Sequence, residues 1–109
     1  METTIQKNQY NINFKKEGYW ETYYPNCQLK SKGNYINGLP YGYWESYWEN
    51  GGLMFKGYYY NNMREGYCEF YYKNGQLASK GNYHNNWSIG YHEDILENGE
   101  LYLKEYFII

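Results

Sequence analysis

Few of the residues that usually build a small core occur in this chain. Leu, Ile, Val and Phe are scarce across its 109 residues, and there are only two prolines and two cysteines. Low aliphatic content ordinarily marks disorder. Here 18 tyrosines and four tryptophans reverse that reading, because aromatic rings bring a large buried area with a polar tip. Such residues suit a thin sheet that cannot hide both of its faces. At this length the chain is one small domain with a modest core.

Other absences narrow the function. The formal net charge is −2, so the basic footprint of a nucleic-acid binder is missing. No apolar run approaches the roughly 18 residues of a membrane span. Residues 1–8 are polar and carry no apolar signal-peptide core, which predicts a frayed, solvated start and a cytoplasmic protein. Cys27 and Cys68 fall in different parts of the chain at unrelated offsets. They read as two free thiols, neither a disulfide framework nor a zinc site. No segment carries a useful helical period. A glycine-rich phosphate loop, a Cys/His cluster and a nucleophile elbow are all missing.

What is present is a strict repeat. Gly18, Gly42, Gly66 and Gly90 open four copies spaced 24 residues apart. The same offsets recur in Glu21, Glu45, Glu69 and Glu93, in Leu29, Leu53, Leu77 and Leu101, and in Lys32, Lys56, Lys80 and Lys104. A period of this length means stacked structural units. The copies run over residues 18–41, 42–65, 66–89 and 90–109 of a repeat domain at 9–109. Residues 9–17 read as a half-repeat, with Gln9 to Phe14 as one capping strand.

Each copy holds two aromatic-rich runs bounded by Asn and Gly, the signature of strands. Asn50-Gly51, Asn74-Gly75 and Asn98-Gly99 separate them, and Asn-Gly is the strongest short-range hairpin signal. A two-residue loop there sets Trp48 opposite Leu53, Ser46 opposite Phe55, Glu45 opposite Lys56 and Trp44 opposite Gly57. It also pairs Glu21, Glu69 and Glu93 with Lys32, Lys80 and Lys104. Polar links at Asn37 to Tyr41, Asn61 to Glu65 and Asn85 to Ile89 join the copies. The fold is therefore all-β: an antiparallel meander of about eight or nine strands in one open, elongated, twisted sheet, roughly 40 Å long.

Alternation along the strands sorts the faces. Trp44, Ser46, Trp48, Leu53, Phe55 and Gly57 share the core face. Structural roles go to Trp20, Trp44, Gly33, Gly57, Gly81 and the four leucines. Gly33 and Gly57, lying opposite Trp20 and Trp44, leave room for an indole on bare backbone. The other face carries the Glu–Lys ladder and the tyrosine rows Tyr19, Tyr43, Tyr67, Tyr91 and Tyr23, Tyr47, Tyr71. The last copy departs from the pattern, with His92 in the tryptophan place, Glu105 in the glycine place and an apolar end, Tyr106 to Ile109. That end either folds onto the core face or makes a homodimer through the C-terminal edge.

The string GYWETYYPNCQLKSKGNYINGLPYG resembles a MORN-type repeat, specifically the bacterial variant G-x-W-x-x-Y-Y-x-N-G-x-L-x-x-x-G-x-Y-x-N-G. The resemblance spans about residues 9–109. Copy one matches at Gly18, Trp20, Tyr23, Tyr24, Asn26, Leu29, Gly33, Tyr35, Asn37 and Gly38. Copy three matches at Gly66, Tyr71, Tyr72, Asn74, Gly75, Leu77, Gly81 and Tyr83, with Cys68 in the tryptophan place. Cys27 stands in the turn-glycine place of copy one, where it takes a strained φ. The resemblance implies a single-layer sheet of consecutive hairpins used as a binding scaffold. Small bacterial members are often antitoxins, larger eukaryotic relatives are associated with protein assembly and membrane phosphoinositides, and similar short proteins occur in viruses and phages.

These features favour binding over catalysis. His92 reads as a worn tryptophan position, and adjacent Glu93 and Asp94 point to opposite faces, so neither supplies acid–base chemistry. The Asn-Gly turns lack the carboxylates a calcium site needs. No catalytic residue, metal or cofactor is assigned. The expected function is protein recognition by Tyr19, Tyr23, Tyr43, Tyr47, Tyr67, Tyr71 and Tyr91, with a toxin or a host protein as partner, acting by occlusion. Carbohydrate or lipid head-group binding on the aromatic platform is one alternative, and a phage or viral antagonist of a host defence protein is another.

Overall fold

The computed structural model describes residues 6–107. They form ten strands in a single antiparallel sheet. These are β1 (Gln9–Tyr10), β2 (Lys16–Tyr23), β3 (Leu29–Ile36), β4 (Leu39–Tyr47), β5 (Leu53–Tyr60), β6 (Met63–Arg64), β7 (Gly66–Tyr71), β8 (Leu77–His84), β9 (Trp87–Ile95) and β10 (Leu101–Phe107). Spatial order follows chain order, and β6 and β7 are one strand interrupted at Glu65, both paired with β5. The molecule is all-β, as the repeat predicts, and measures 47 × 35 × 27 Å along its principal axes.

Two kinds of turn alternate along it, and the sequence reading exchanged them. The tight two-residue turns lie at the links, at Asn37-Gly38, Asn61-Asn62 and Asn85-Asn86. Asn61 and Asn62 have φ of 54° and 70°, and Tyr60 pairs directly with Met63. Two successive positive φ values make a type I′ turn, which asparagine tolerates best among residues with a Cβ. The expected polar links therefore shrink to two residues, and Leu39, Pro40 and Tyr41 join β4.

The Asn50-Gly51 turn is instead a three-residue loop. The Gly51 N–H donates to Trp48 O at 2.9 Å, and the Trp48 N–H donates to Gly52 O at 2.8 Å. Gly51 alone takes a left-handed φ, 88°, the pattern of a type I turn followed by a bulge. The bulge consumes one residue, so Tyr47, not Trp48, faces Leu53. Beyond it the expected register holds: Ser46 with Phe55, Glu45 with Lys56, Trp44 with Gly57. Glu21–Lys32, Glu69–Lys80 and Glu93–Lys104 are likewise opposite one another. Cys27 takes the left-handed position at φ 70°, as its place in the repeat predicts.

Freed groups at these loops tie each copy to the next. Asn26, Asn50 and Asn74 each donate through Nδ2 to a carbonyl one copy on, at Glu49, Lys73 and Glu97, each at 3.1 Å. Their Oδ1 atoms accept from the backbone N–H two residues later. The Tyr24 hydroxyl, Trp48 Nε1 and the Tyr72 hydroxyl donate to Tyr47 O, Tyr71 O and Ile95 O. Asparagine serves here because it donates and accepts at once.

The core is a file of rings along one face. Tyr10, Trp20, Tyr35, Trp44, Tyr59, Phe55, Phe70, Tyr83, His92 and Phe107 follow one another at centroid separations of 5.0 to 6.4 Å, mostly edge to face. Trp20, Trp44, Phe55, Cys68 and His92 are buried. His92 occupies the tryptophan place, with Nε2 2.7 Å from Asn82 O, as Trp44 Nε1 donates to Asn34 O at 3.1 Å. Where Cys68 leaves the tryptophan place short of volume, Phe55 and Phe70 pair beside it. Small Ser31 and Ser46 pair at the equivalent place beside Trp44. Among the described residues no second layer covers these rings. Lys16 lies over Trp20 and Tyr35, and Arg64 over Phe70 and Tyr83, so alkyl stems and cations shield them.

The glycine seats differ from expectation in one respect. A Cβ on Gly33 would lie 2.1 Å from the ring of Trp44, not against Trp20. One on Gly57 would meet Cys68 Sγ at 2.5 Å, and one on Gly81 the His92 ring at 2.3 Å. Each glycine thus receives the side chain of the following copy, across the boundary between hairpins.

At the ends, β1 is only two residues long, and residues 11–15 turn with Phe14 at φ 60°. The capping strand is shorter than Gln9 to Phe14 predicts, because Asn11 Oδ1 accepts from the N–H groups of Asn13 and Lys15 and bends the chain. Lys7 and Asn8 bond to Glu21. At the C-terminal end Phe107 lies against His92 on the core face, and Tyr106 against Tyr91 on the other. The end places of the expected apolar run, 108 and 109, lie outside the described residues.

Candidate binding face

The face opposite the rings is built from one unit repeated. A glutamate stands mid-strand with a tyrosine two residues before it and, in copies one to three, another two residues after. Alternation puts all three on one face. Glu45 accepts from the Tyr43 hydroxyl at 2.7 Å and from the Tyr47 hydroxyl. Glu69 accepts from Tyr67 at 2.7 Å and from Tyr71. Glu21 accepts from Tyr19 at 2.8 Å and from Tyr23 at 2.5 Å. Glu93 accepts from Tyr91 alone of its two flanks, since Ile95 fills the second place.

A lysine completes each unit, and it comes from the preceding copy. Lys32 reaches Glu45 at 3.2 Å, Lys56 reaches Glu69 at 3.2 Å and Lys80 reaches Glu93 at 3.6 Å. At the first unit Lys7 takes this role at 2.6 Å. The sequence reading paired each glutamate with the lysine of its own hairpin. The backbone register agrees, but each glutamate also faces a lysine across the next boundary, as Glu45 faces Lys32, and that is the ion pair that forms.

The clamps shift proton affinities in the expected directions. Bonds from Lys7, then Tyr23 and Tyr19, hold Glu21 down at about 2. Burial alone would raise Glu45 and Glu69, but bonds from their two tyrosines and one lysine outweigh it and leave both below the ordinary range. Burial, followed by the bond to Glu45, pushes Tyr47 up to about 12 and Tyr43 higher still. The bond to Glu93 leads the rise of Tyr91 to about 12.

All seven tyrosines expected at the site lie on this face. Tyr23, Tyr43 and Tyr67 are exposed, while Tyr19, Tyr47, Tyr71 and Tyr91 are half-buried. The structural set divides similarly. Trp20, Trp44, Gly33, Gly57 and Gly81 are buried, Leu29, Leu53 and Leu77 half-buried, and Leu101 exposed. The sequence reading sets Tyr58 on this face without naming it for the site and gives no role to Tyr41 and Tyr60; Tyr41, Tyr58 and Tyr60 are 45%, 50% and 61% exposed. Tyr58 packs on Tyr43, and Tyr60 on Tyr41, so the β4–β5 hairpin concentrates four rings. The signal was available as a break in the repeat. Tyr41 stands where Glu17 and Glu65 stand, and Tyr58 where Asn34 and Asn82 stand.

Taken together, one open sheet of stacked hairpins, packed on one face and presenting clamped tyrosines on the other, defines a repeat scaffold. The chain belongs to the MORN repeat variant family, whose model matches residues 16–37, 40–62 and 64–85. Repeats of this family generally bind proteins or membranes and are typically not catalytic. No protein of curated function matches the chain. Among the described residues, no helix is long and apolar enough to cross a membrane.

Proposed function

We propose that this protein is a non-catalytic protein-binding module, antitoxin-like or inhibitor-like, that acts in the cytoplasm by covering a protein partner with its tyrosine face. The observation that carries this reading is the clamp. The hydroxyls of Tyr43, Tyr47, Tyr67 and Tyr71 are fixed on carboxylates, so the rings are held before any partner arrives. Pre-ordered aromatic area loses little entropy on association, and interfaces favour such residues. Occlusion requires no bond-making group on this face.

The test is to isolate the polypeptide that co-purifies in stoichiometric amount and measure its dissociation constant. Tyr43→Ala with Tyr67→Ala should weaken it by about 1–4 kcal/mol, the range of aromatic anchors, with the circular dichroism of the sheet unchanged. An unaltered constant, or binding to a glycan array or to anionic vesicles in place of a polypeptide, would refute the proposal. A second association has its own observation: Leu101, Tyr102, Leu103 and Tyr106 of β10 are exposed. They favour a homodimer joined through this strand. Sedimentation equilibrium tests it, since Leu103→Lys should shift a dimer to monomer.

A further inference from the structure

We infer that the cleft beside the Asn61-Asn62 turn is a receptor for a glutamate side chain presented by an extended segment of a protein partner. This rests on the protein-binding reading above and names what one part of the face takes. The cleft has a volume of about 380 Å³ and is lined by Ile36, Leu39, Pro40, Tyr41, Tyr60 and Asn61.

The repeat itself supplies the chemistry, because the chain solves the same local problem three times. In a type I′ turn the first residue's N–H points off the end of the hairpin and finds no partner within it. At the first such turn the Asn37 N–H donates to Glu17 Oε1 at 2.9 Å. At the third, the Asn85 N–H donates to Glu65 Oε2 at 3.2 Å, and His84 Nδ1 holds Oε1 at 2.9 Å. The His84 bond first and the Asn85 amide second keep the Glu65 carboxyl below its ordinary range.

At the second turn the equivalent of Glu17 and Glu65 is Tyr41. The backbone around it is the same. Asn62 N–H points at Pro40 O at 3.4 Å, as Gly38 N–H does at Lys16 O and Asn86 N–H at Arg64 O. The carboxylate is missing, and Tyr60 stands where His84 holds Glu65 at the third turn. Among the described residues no side chain takes the Asn61 N–H, and Tyr41 and Asn61 both line the cleft. Its lining sets aliphatic side chains and the Tyr41 and Tyr60 rings, 6.0 Å apart, beside about as much polar surface.

One uncapped N–H beside Ile36, Leu39 and two tyrosine rings, with no lysine or arginine lining the site, suits a monoanion on an aliphatic stem better than a phosphate, which prefers a guanidinium or ammonium clamp. At the third turn the carboxylate comes from Glu65, in the break between β6 and β7; at the first it is delivered from Glu17 within the extended strand β2. The same geometry in a partner means a glutamate in a β-conformation, flanked by side chains that cover Ile36 and Leu39.

The experiment follows the backbone amide resonances of the whole chain while acetyl-Leu-Glu-Leu-amide is added, with acetyl-Leu-Gln-Leu-amide as its neutral counterpart. The Asn61 N–H should move downfield and saturate with the glutamate peptide. The glutamine peptide should bind at least about tenfold more weakly, since a bond to a charged acceptor is the stronger kind. Tyr41→Glu gives the turn the chain's own carboxylate and should abolish the response, whereas Tyr41→Phe should retain it. The Asn85 N–H, already capped, should not move in any variant. Equal shifts from both peptides, a full response in Tyr41→Glu, or movement of Asn61 only with inorganic phosphate or phosphatidylserine vesicles would each overturn the inference. If the peptide fails while partner affinity still depends on Tyr43 and Tyr67, the carboxylate receptor is wrong and the binding face stands.

Discussion

Trp44 rests on the bare Cα of Gly33, a residue of the preceding hairpin. Gly33→Ala therefore inserts a methyl group into an occupied ring and should cost about 1–3 kcal/mol or more, the range of overpacked cores. A double-mutant cycle by urea denaturation should find strong coupling between Gly33→Ala and Trp44→Leu and little between Gly33→Ala and Trp20→Leu. The reverse would restore the seat expected from the hairpin register alone. The clamped acids give a second prediction. Glu21 is held at about 2 against an ordinary 4.5. A depressed carboxyl stabilises the fold above its ordinary pKa, and that contribution is lost as pH falls through about 2. Tyr19, Tyr47 and Tyr91 are raised from 10 to about 12. Their contribution is intact below pH 10 and is lost as pH rises through about 12. Melting temperature measured across both ranges should decline at each end, and Lys7→Ala should blunt the acid decline.

At the scale of the element, the two turn types divide the labour. The Asn-Asn and Asn-Gly pairs make tight reversals, while the Asn-Gly loops bulge and tie neighbouring copies. Cys27 is the one bulge residue among Cys27, Gly51, Gly75 and Gly99 that has a Cβ in the left-handed region. Cys27→Gly should relieve about 1–2 kcal/mol of that strain, less the entropy glycine adds to the unfolded chain. A higher urea midpoint with unchanged slope would show it, and a lower midpoint would mean the cysteine side chain contributes more than the strain costs. How far the elements were legible follows from the same turns. Period and alternation placed the hairpins, the Trp20 and Trp44 face and the Glu45–Lys56 register. They could not distinguish a two-residue turn at Asn50-Gly51 from a bulged three-residue one, since both suit Asn-Gly. Nor could they say whether Glu45 takes Lys32 or Lys56, because the register sets a lysine on both sides of it. Contacts across a hairpin boundary depend on two successive turns, so an error at one loop passes into the seat of Trp44 and the choice of lysine.

Across the whole molecule, the buried rings and the clamped, exposed tyrosines fall on opposite faces of one layer. The ring file from Tyr10 to Phe107 joins every hairpin to the next, while the tyrosine face contributes exposed, pre-ordered area. The seven tyrosines of the clamped rows stand out in the sequence because they repeat. Alternation alone sets Tyr58 beside them, while Tyr41 and Tyr60 depart from the repeat, and a periodic reading discards departures. The most direct measurement is urea denaturation of Trp44→Ala beside the pair Tyr43→Ala and Tyr67→Ala. The separation of faces predicts a loss of about 3–5 kcal/mol for the tryptophan, as for large buried rings, and under about 1 kcal/mol for each exposed tyrosine. Equal losses from the two faces would contradict it.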